Sequence, residues 1–359
     1  MNSSDDENDA AATPPTPSKQ PSAAARAAGV IVGLTIALAI IAIAFALPAA
    51  RSKPHDVPIG AAGPQAFVVV PMLQQNAPGA FKVNTYPDDA ALRAAIRNRD
   101  VYSGISFGRP GPTLLIATGA SPTVAQLFTQ VGSGVAQHAG VALRVEDLAP
   151  PTADDPRGAG LAASVLPITL AGLLPAIALV LLLKHEVWTR LVATVAFSAL
   201  SAVTITAILR YVLGSINQNF WGVAGGLTLG ILAAGLAILG LGSLFGRVGL
   251  AVGALVALLL GNPLSGLNSA PEMLPSGWGA FGQHLPQGAN ATLLRSTAFF
   301  GGAGAGTAVT VLTCWVVAGA VIVAVAAFRG RAGGRDPHRD RFAGAVQGDP
   351  RAEESPQTP

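Results

Sequence analysis

Residues able to carry chemistry are few in this chain and stand far apart. The five histidines, His55, His138, His185, His284 and His338, are scattered, and none has a Cys, Asp or Glu at metal-ligand spacing. The sequence has no GxSxG elbow, no HExxH pair and no GxxxxGK phosphate loop, so it does not bind ATP through such a loop. Gly132-Ser133-Gly134 falls inside a helical pattern rather than after a strand, which makes it a packing feature, not a phosphate cradle. Asn290-Ala291-Thr292 has the form of a glycosylation sequon. The single cysteine, Cys314, lies in an apolar run and rules out an intramolecular disulfide or a Cys-based metal site. No catalytic residue, cofactor site or metal site is expected.

The remaining candidates are charges in or beside apolar segments. Arg210 lies about one turn from the end of its run. It either snorkels to the headgroups or pairs with an acid such as Glu272 or with an anionic substrate group. Glu272, after Pro271, reads as a solvated acid or as part of a substrate entrance, and Arg295 as a helix cap or a contact to lipid phosphate. The stretch Lys184-His185-Glu186-Val187-Trp188-Thr189-Arg190 is short, charged and amphipathic. Alone it reads as a positive-inside anchor with an interfacial Trp, and it is also a place where a cytoplasmic partner could push on the helices.

The elements that hold these residues are mostly membrane helices. Of 359 residues 51% are hydrophobic and 11% charged, where a soluble domain has about 25% charged; mean hydropathy is +0.51. The net charge of +3 comes from few charges in total, and no basic stripe with interleaved aromatics is present, so nucleic acid is not an expected partner. Residues 1–26 are polar and Pro-rich and are expected to be a disordered cytoplasmic tail. Residues 27–50 carry no charge up to Arg51 and are long enough to cross the roughly 30 Å hydrocarbon layer. The rival reading is a signal peptide cut near Ala44-Phe45-Ala46, but the apolar stretch exceeds the about 7–15 residues of a signal core, which favours an uncleaved anchor.

Residues 51–160 alternate and regain charge, as an α+β domain does. Strands are expected at Gln65–Leu73, Phe81–Tyr86, Val101–Phe107, Thr113–Thr118 and Val141–Val145. Helices are expected from Asp89 to Arg99, capped by Asp88, and from Pro122, capped by Ser121. Five further apolar runs follow, at 161–183, 191–213, 220–246, 248–262 and 303–328, then a polar tail at 329–359. The fold expected is therefore a polytopic α-helical membrane protein. It has six transmembrane helices, an α+β extracytoplasmic domain between helices 1 and 2, and a re-entrant outer loop before helix 6. Lys184, Arg190, Arg247 and the Arg cluster from Arg329 fall on one face, which places both termini in the cytoplasm. Gly226/Gly230, Gly242/Gly246 and Gly249/Gly253 are small-xxx-small pairs suited to close packing within the chain, or to self-association.

The loop at 261–302 is rich in Gly and Pro yet carries Leu, Met, Trp and Phe at intervals. Irregular backbone of this kind survives at membrane depth only where protein or a water-filled cavity covers it. Its content suits a gate or entrance lined by Leu264, Leu267, Met273, Trp278 and Phe281 more than an active site.

This layout resembles the permease subunits of ABC-2-type (type V) ABC transporters, and within them the YhgE/Pip-related bacterial membrane proteins. The resemblance is carried by Gly261–Gly302, by DDAALRAAIRNRDVYSGISFG at 88–108 and by LLIATGASPTVAQLF at 114–128. It implies an exporter of a lipid, drug or other amphiphile in the inner membrane, with two permease chains (a homodimer or heterodimer) and a separate ABC ATPase. Lys184, His185, Glu186, Trp188 and Arg190 would be the counterpart of the coupling element that the ATPase grips. A non-transporting envelope protein, whose outer domain binds a partner or surface polymer, is the alternative.

Overall fold

The computed structural model describes residues 22–333 apart from 109–110 and 184–185. The expectations for 1–21, 334–359, Lys184 and His185 lie outside the described residues. The chain divides into two units, Met1–Ile43 and Ala44–Pro359. The first holds most of helix α1 (Ala23–Ala50), whose side chains are apolar all round, the pattern of a helix that meets lipid on every face.

In the second unit a five-stranded sheet, ordered β2-β1-β3-β4-β5, is built from β1 (Val57–Ala62), β2 (Phe81–Tyr86), β3 (Ser103–Phe107), β4 (Pro112–Ile116) and β5 (Arg144–Asp147). β1 runs parallel to β2 and to β3, β3 antiparallel to β4, and β4 parallel to β5. Parallel neighbours cannot be joined by a tight turn and need a crossover. That requirement corrects the reading of Gln65–Leu73. Its Val run looks like a strand, but Ala66–Asn76 is helix α2, the crossover from β1 to β2. The strand missing from the sequence reading is β1 itself. VPIGAA has little β propensity, but five of its six residues are buried in the middle of the sheet. Its smallness is needed there: a Cβ on Gly60 would stand 2.2 Å from Leu92 Cδ1 of the overlying helix α3 (Asp89–Arg97).

α3 forms for the reasons its sequence gives. Asp88 accepts a hydrogen bond from Ala91 N–H at 2.8 Å, and Leu92, Ala95 and Ile96 face the sheet. Helix α4 (Pro122–Ala139) starts on a Ser121 cap with Pro at its first position and ends on left-handed Gly140. Arg93 clamps α3 to β5 by a bidentate pair with Glu146, at 2.6 and 2.8 Å.

Among the described residues five helices are long and apolar enough to cross a membrane: Ala23–Ala50, Ala159–Leu182, Val187–Val212, Phe220–Gly261 and Gly306–Arg329. The second comprises α5 (Ala159–Ala163) and α6 (Val165–Leu182). The third is α7 (Val187–Ala207) with a π turn, Ile208–Val212, at its end. The fourth is α8 (Phe220–Val256), again closed by a π turn, Ala257–Gly261. It is not straight. Gly246 has φ 61° and ψ −137°, and the chain reverses there. In a straight helix Ile238 and Gly253 would be about 22 Å apart, yet a Cβ on Gly253 would lie 3.3 Å from Ile238, and one on Gly242 would meet Leu250. The runs read as 220–246 and 248–262 are thus the two arms of a helical hairpin, and Gly226, Gly230, Gly242, Gly249 and Gly253 pack within the chain while Gly246 makes the turn.

α8 is the hub against which α6 and α7 pack. The helices α10 (Pro286–Phe299) and α11 (Gly306–Gly333) pack against it too. The α+β unit sits at one end of this bundle. Thr152 Oγ1 donates to Gly214 O, and Ser215 Oγ donates to Asp155 Oδ2 at 2.7 Å, at the turn between α7 and α8. At the other end Arg190, beginning α7, donates to Leu183 O at 2.6 Å and to Ser243 Oγ at 3.2 Å.

Candidate functional site

The segment between the hairpin and α11 is folded throughout its described length. A 3-10 turn at Pro271–Met273 is followed by helix α9 (Trp278–Gln283) and by α10. Its apolar residues serve two cores. Ala270 and Met273 complete the core of the α+β unit beside Val57, Ile59 and Phe128, while Leu267, Ala291 and Leu294 belong to the helical core with Leu227 and Ile231. Leu264, Leu267 and Met273 are accordingly buried, whereas Trp278 and Phe281 on α9 are exposed. The five candidate gate residues therefore occupy two different settings.

Between this segment and the sheet lies an open cavity of about 420 Å³. Its lining combines His55, Asp56, Arg99 and Tyr102 of the α+β unit with Glu272 and Gln283 of the segment. The wall is fixed by backbone pairing: His55 N–H donates to Glu272 O at 2.9 Å and Lys53 N–H to Met273 O at 3.1 Å. Tyr102 donates its hydroxyl proton to Glu272 Oε2 at 2.8 Å. Burial first, then the neighbouring Glu272 carboxylate, pushes the Tyr102 phenol well above its usual range, so it stays a donor at neutral pH. His55 Nδ1 is buried, with no hydrogen-bond partner among the described residues.

Arg99 is held in an unusual way. α3 ends in a Schellman motif, in which Asp100 N–H donates to Ala95 O at 2.9 Å and Arg99 N–H to Ile96 O at 3.0 Å. Arg99 takes the left-handed position of that motif, with φ 65°, where Gly is the usual residue and another side chain costs about 1–3 kcal/mol. The guanidinium stacks over Phe300 at 5.4 Å from the ring centroid and donates to Thr292 O at 2.9 Å and to Ser296 Oγ. Burial lowers its pKa, partly offset by Tyr102 and Glu272, and a guanidinium stays charged even so.

Arg295, on α10, points at the same region from below. It is 7% exposed and donates to the carbonyls of Gly119 and Leu267. Its Nε has no partner among the described residues. A small hole of about 10 Å³ lies between Arg99, Tyr102 and Arg295 and shares lining with the large cavity.

Polar groups continue from here into the bundle. Gln283 accepts from Thr292 Oγ1 at 2.6 Å and donates to Ser265 O at 3.2 Å. Thr169 donates to Asn262 Oδ1 at 3.3 Å. Asn290 is buried, its Oδ1 has no partner among the described residues, and a Cβ on Gly230 of α8 would stand 2.1 Å from it. Gly230 is ten residues along α8, about 15 Å from its start. A cavity of about 20 Å³ beside Asn290 and Thr169 is large enough for one water, which needs about 10–15 Å³.

The other candidates stand apart from this cavity. Arg210 lies over the Tyr211 ring at 5.7 Å, and Glu272 is bonded to Tyr102 instead. Glu186 and Trp188 are exposed at the opposite end of the bundle, while Arg190 is 4% exposed and ties α7 to its neighbours. Sequence reasoning passed over Arg99, Tyr102 and Asn290. A signal for Arg99 existed: α3 stops at Arg97-Asn98-Arg99-Asp100 with no Gly at the turn. A second cavity, of about 310 Å³, is almost wholly apolar and lies between α2, α4 and the sheet, with Leu73, Phe128 and Val135 in its walls.

Comparison with protein-family models, with curated proteins and with solved structures found no match. Fold and site together define a class: a multi-pass membrane protein, mostly helical, whose small mixed sheet closes a polar cavity over a broken-helix segment.

Proposed function

We propose that this chain is the permease subunit of an ABC-2-like exporter that moves a lipid, drug or other amphiphile across the inner (plasma) membrane. It works as a homodimer or heterodimer with a separate ATPase. The observation that carries the reading is the polar track from the open cavity, through Gln283 and Ser265, to Asn290 deep beside α8. Polar groups at such depth are expensive and mark pathways, and broken helices are the usual way to line one. In this reading the α8 hairpin supplies two crossings, which makes six in all. Lys and Arg in the short connections keep both termini cytoplasmic. The exposed Glu186 and Trp188 receive the ATPase at the far end. The α9 residues beside the cavity are Gly279, Ala280 and Gln283, and the exposed Trp278 and Phe281 face away from it.

The test is export from inverted vesicles carrying the chain and its co-purified ATPase. Asn290→Leu, close to isosteric, is expected to lower export at least about tenfold, a loss near that of one buried hydrogen-bonding group, with normal expression and thermal stability. Trp188→Ala is expected to uncouple ATP hydrolysis from export. Wild-type export by Asn290→Leu, or failure of any ATPase to co-purify, would remove the reading. The alternative, a non-transporting envelope protein whose outer domain binds a partner, draws on the apolar 310 Å³ cavity; it requires that substitutions at Glu186 and Trp188 be silent.

A further inference from the structure

At the inner end of the large cavity the charges do not balance. Arg295 is buried and Arg99 half-buried, and among the described residues neither makes an ion pair. Glu272 is the nearest carboxylate, and its Oε2 already accepts from Tyr102. Asp56 lines the cavity too, but it is exposed to solvent. Removing a cation from water without a counter-charge costs several kcal/mol, and here two guanidiniums share one region with one carboxylate. The backbone adds to the cost: Arg99 occupies a left-handed turn position that glycine would fill without strain. Strain of this sort persists where the side chain is needed. Among the described residues two buried polar atoms have no hydrogen-bond partner, Nδ1 of His55 in the large cavity's lining and Nε of Arg295 in the lining of the adjoining hole.

We infer that the cavity binds an anionic group, a phosphate or carboxylate, against Arg99, with Arg295 adding to the positive field from the small hole that adjoins it. Guanidinium forks match such groups geometrically. Glu272 acts on this site in the opposite sense: it holds Tyr102 and tunes affinity downward, so that a bound head group can also leave. The inference rests on the export reading for one point, that the anion is the head of the transported amphiphile. The site itself is independent of transport.

The experiment is equilibrium binding to the full chain purified in a neutral detergent, with no ATPase present. Three probes are compared: dioctanoyl phosphatidic acid, the neutral dioctanoylglycerol, and inorganic phosphate. Phosphatidic acid is expected to bind at least about tenfold more tightly than dioctanoylglycerol, as one charge-assisted contact dictates. Competition by inorganic phosphate would assign the site to the free anion, and its failure to compete would assign it to a head group with its tails. Arg99→Gly relieves the backbone strain, so it is expected to fold, and to weaken phosphatidic acid about tenfold or more. Glu272→Gln keeps the shape and removes a like charge, so it is expected to tighten binding several-fold.

Equal binding of the charged and neutral lipids, unchanged affinity in Arg99→Gly, or weaker binding in Glu272→Gln would overturn the inference while leaving the export reading standing. Intact anion binding with no ATPase partner would remove the export reading alone.

Discussion

Asp155 joins the linker to the bundle through three hydrogen-bond donors to its carboxylate, and its behaviour with pH follows from them. Its carboxylate accepts from Ala159 N–H and Gly160 N–H, both at 2.8 Å, and from Ser215 Oγ at 2.7 Å. Burial pushes the carboxyl upward, but the Ser215 hydroxyl and the Gly160, Ala159 and Gly158 amides outweigh it and hold it below the usual carboxylate range. A depressed carboxyl stabilises the fold above its unfolded pKa, near ~3.9, and that contribution is lost as pH falls through the folded value. Asp155→Asn is therefore expected to lower the thermal midpoint at pH 7 and to flatten its decline between about pH 5 and pH 3. A thermal unfolding series in detergent measures both; an Asn variant as acid-sensitive as wild type would refute it.

Elements in this chain depend on partners far away in sequence. The sheet with its helices covers 57–147, yet Ala270 and Met273 are part of its core. Met273→Ala is expected to cost about 2–5 kcal/mol, the range for a buried Met, and to raise hydrogen exchange in β1 and α4 before the membrane helices. For the same reason an excised fragment of 51–160 is expected to expose the face that Met273 covers and to bind hydrophobic dye in detergent-free buffer. The α8 hairpin depends on one residue. At φ 61° and ψ −137° a side chain is strained by about 1–3 kcal/mol. Gly246→Ala is expected to lower the thermal midpoint more than Gly225→Ala does, because Gly225 is helical and has open space beside it. Equal midpoints for the two variants would contradict the hairpin.

At the scale of the whole molecule the bundle has two unlike ends. One carries the α+β unit and the cavity; the other carries Arg190, Gly246 and the exposed Trp188. Arg247 and Arg329 lie on the second end, which the proposed export reading, by the positive-inside rule, assigns to the cytoplasm. In a Cys314→Ser background, a cysteine at Ser276 is expected to react with an impermeant maleimide on intact cells, and one at Thr189 only after permeabilisation. Both positions are exposed in the structure. The reverse pattern would invert the export direction argued above.

The long apolar helices and the helices α3 and α4 were legible in the chain itself. Each is a local matter: an apolar run long enough for a bilayer, an Asp88 or Ser121 cap, an apolar stripe at helical spacing. The oddity of 261–302 was legible too, as Gly and Pro mixed with large apolar side chains. What only the tertiary structure decided were features set by distant partners. β1 is a strand because the sheet closes around VPIGAA, and Gln65–Leu73 is a helix because parallel strands need a crossover. Leu264, Leu267 and Met273 are core because two other parts of the chain cover them. Arg99, Tyr102, Glu272 and Arg295 are separated by up to 196 positions in sequence, and only folding brings them to the large cavity and the small hole that adjoins it. Local periodicity reports which face of an element is buried; it carries no information on which buried charges will meet.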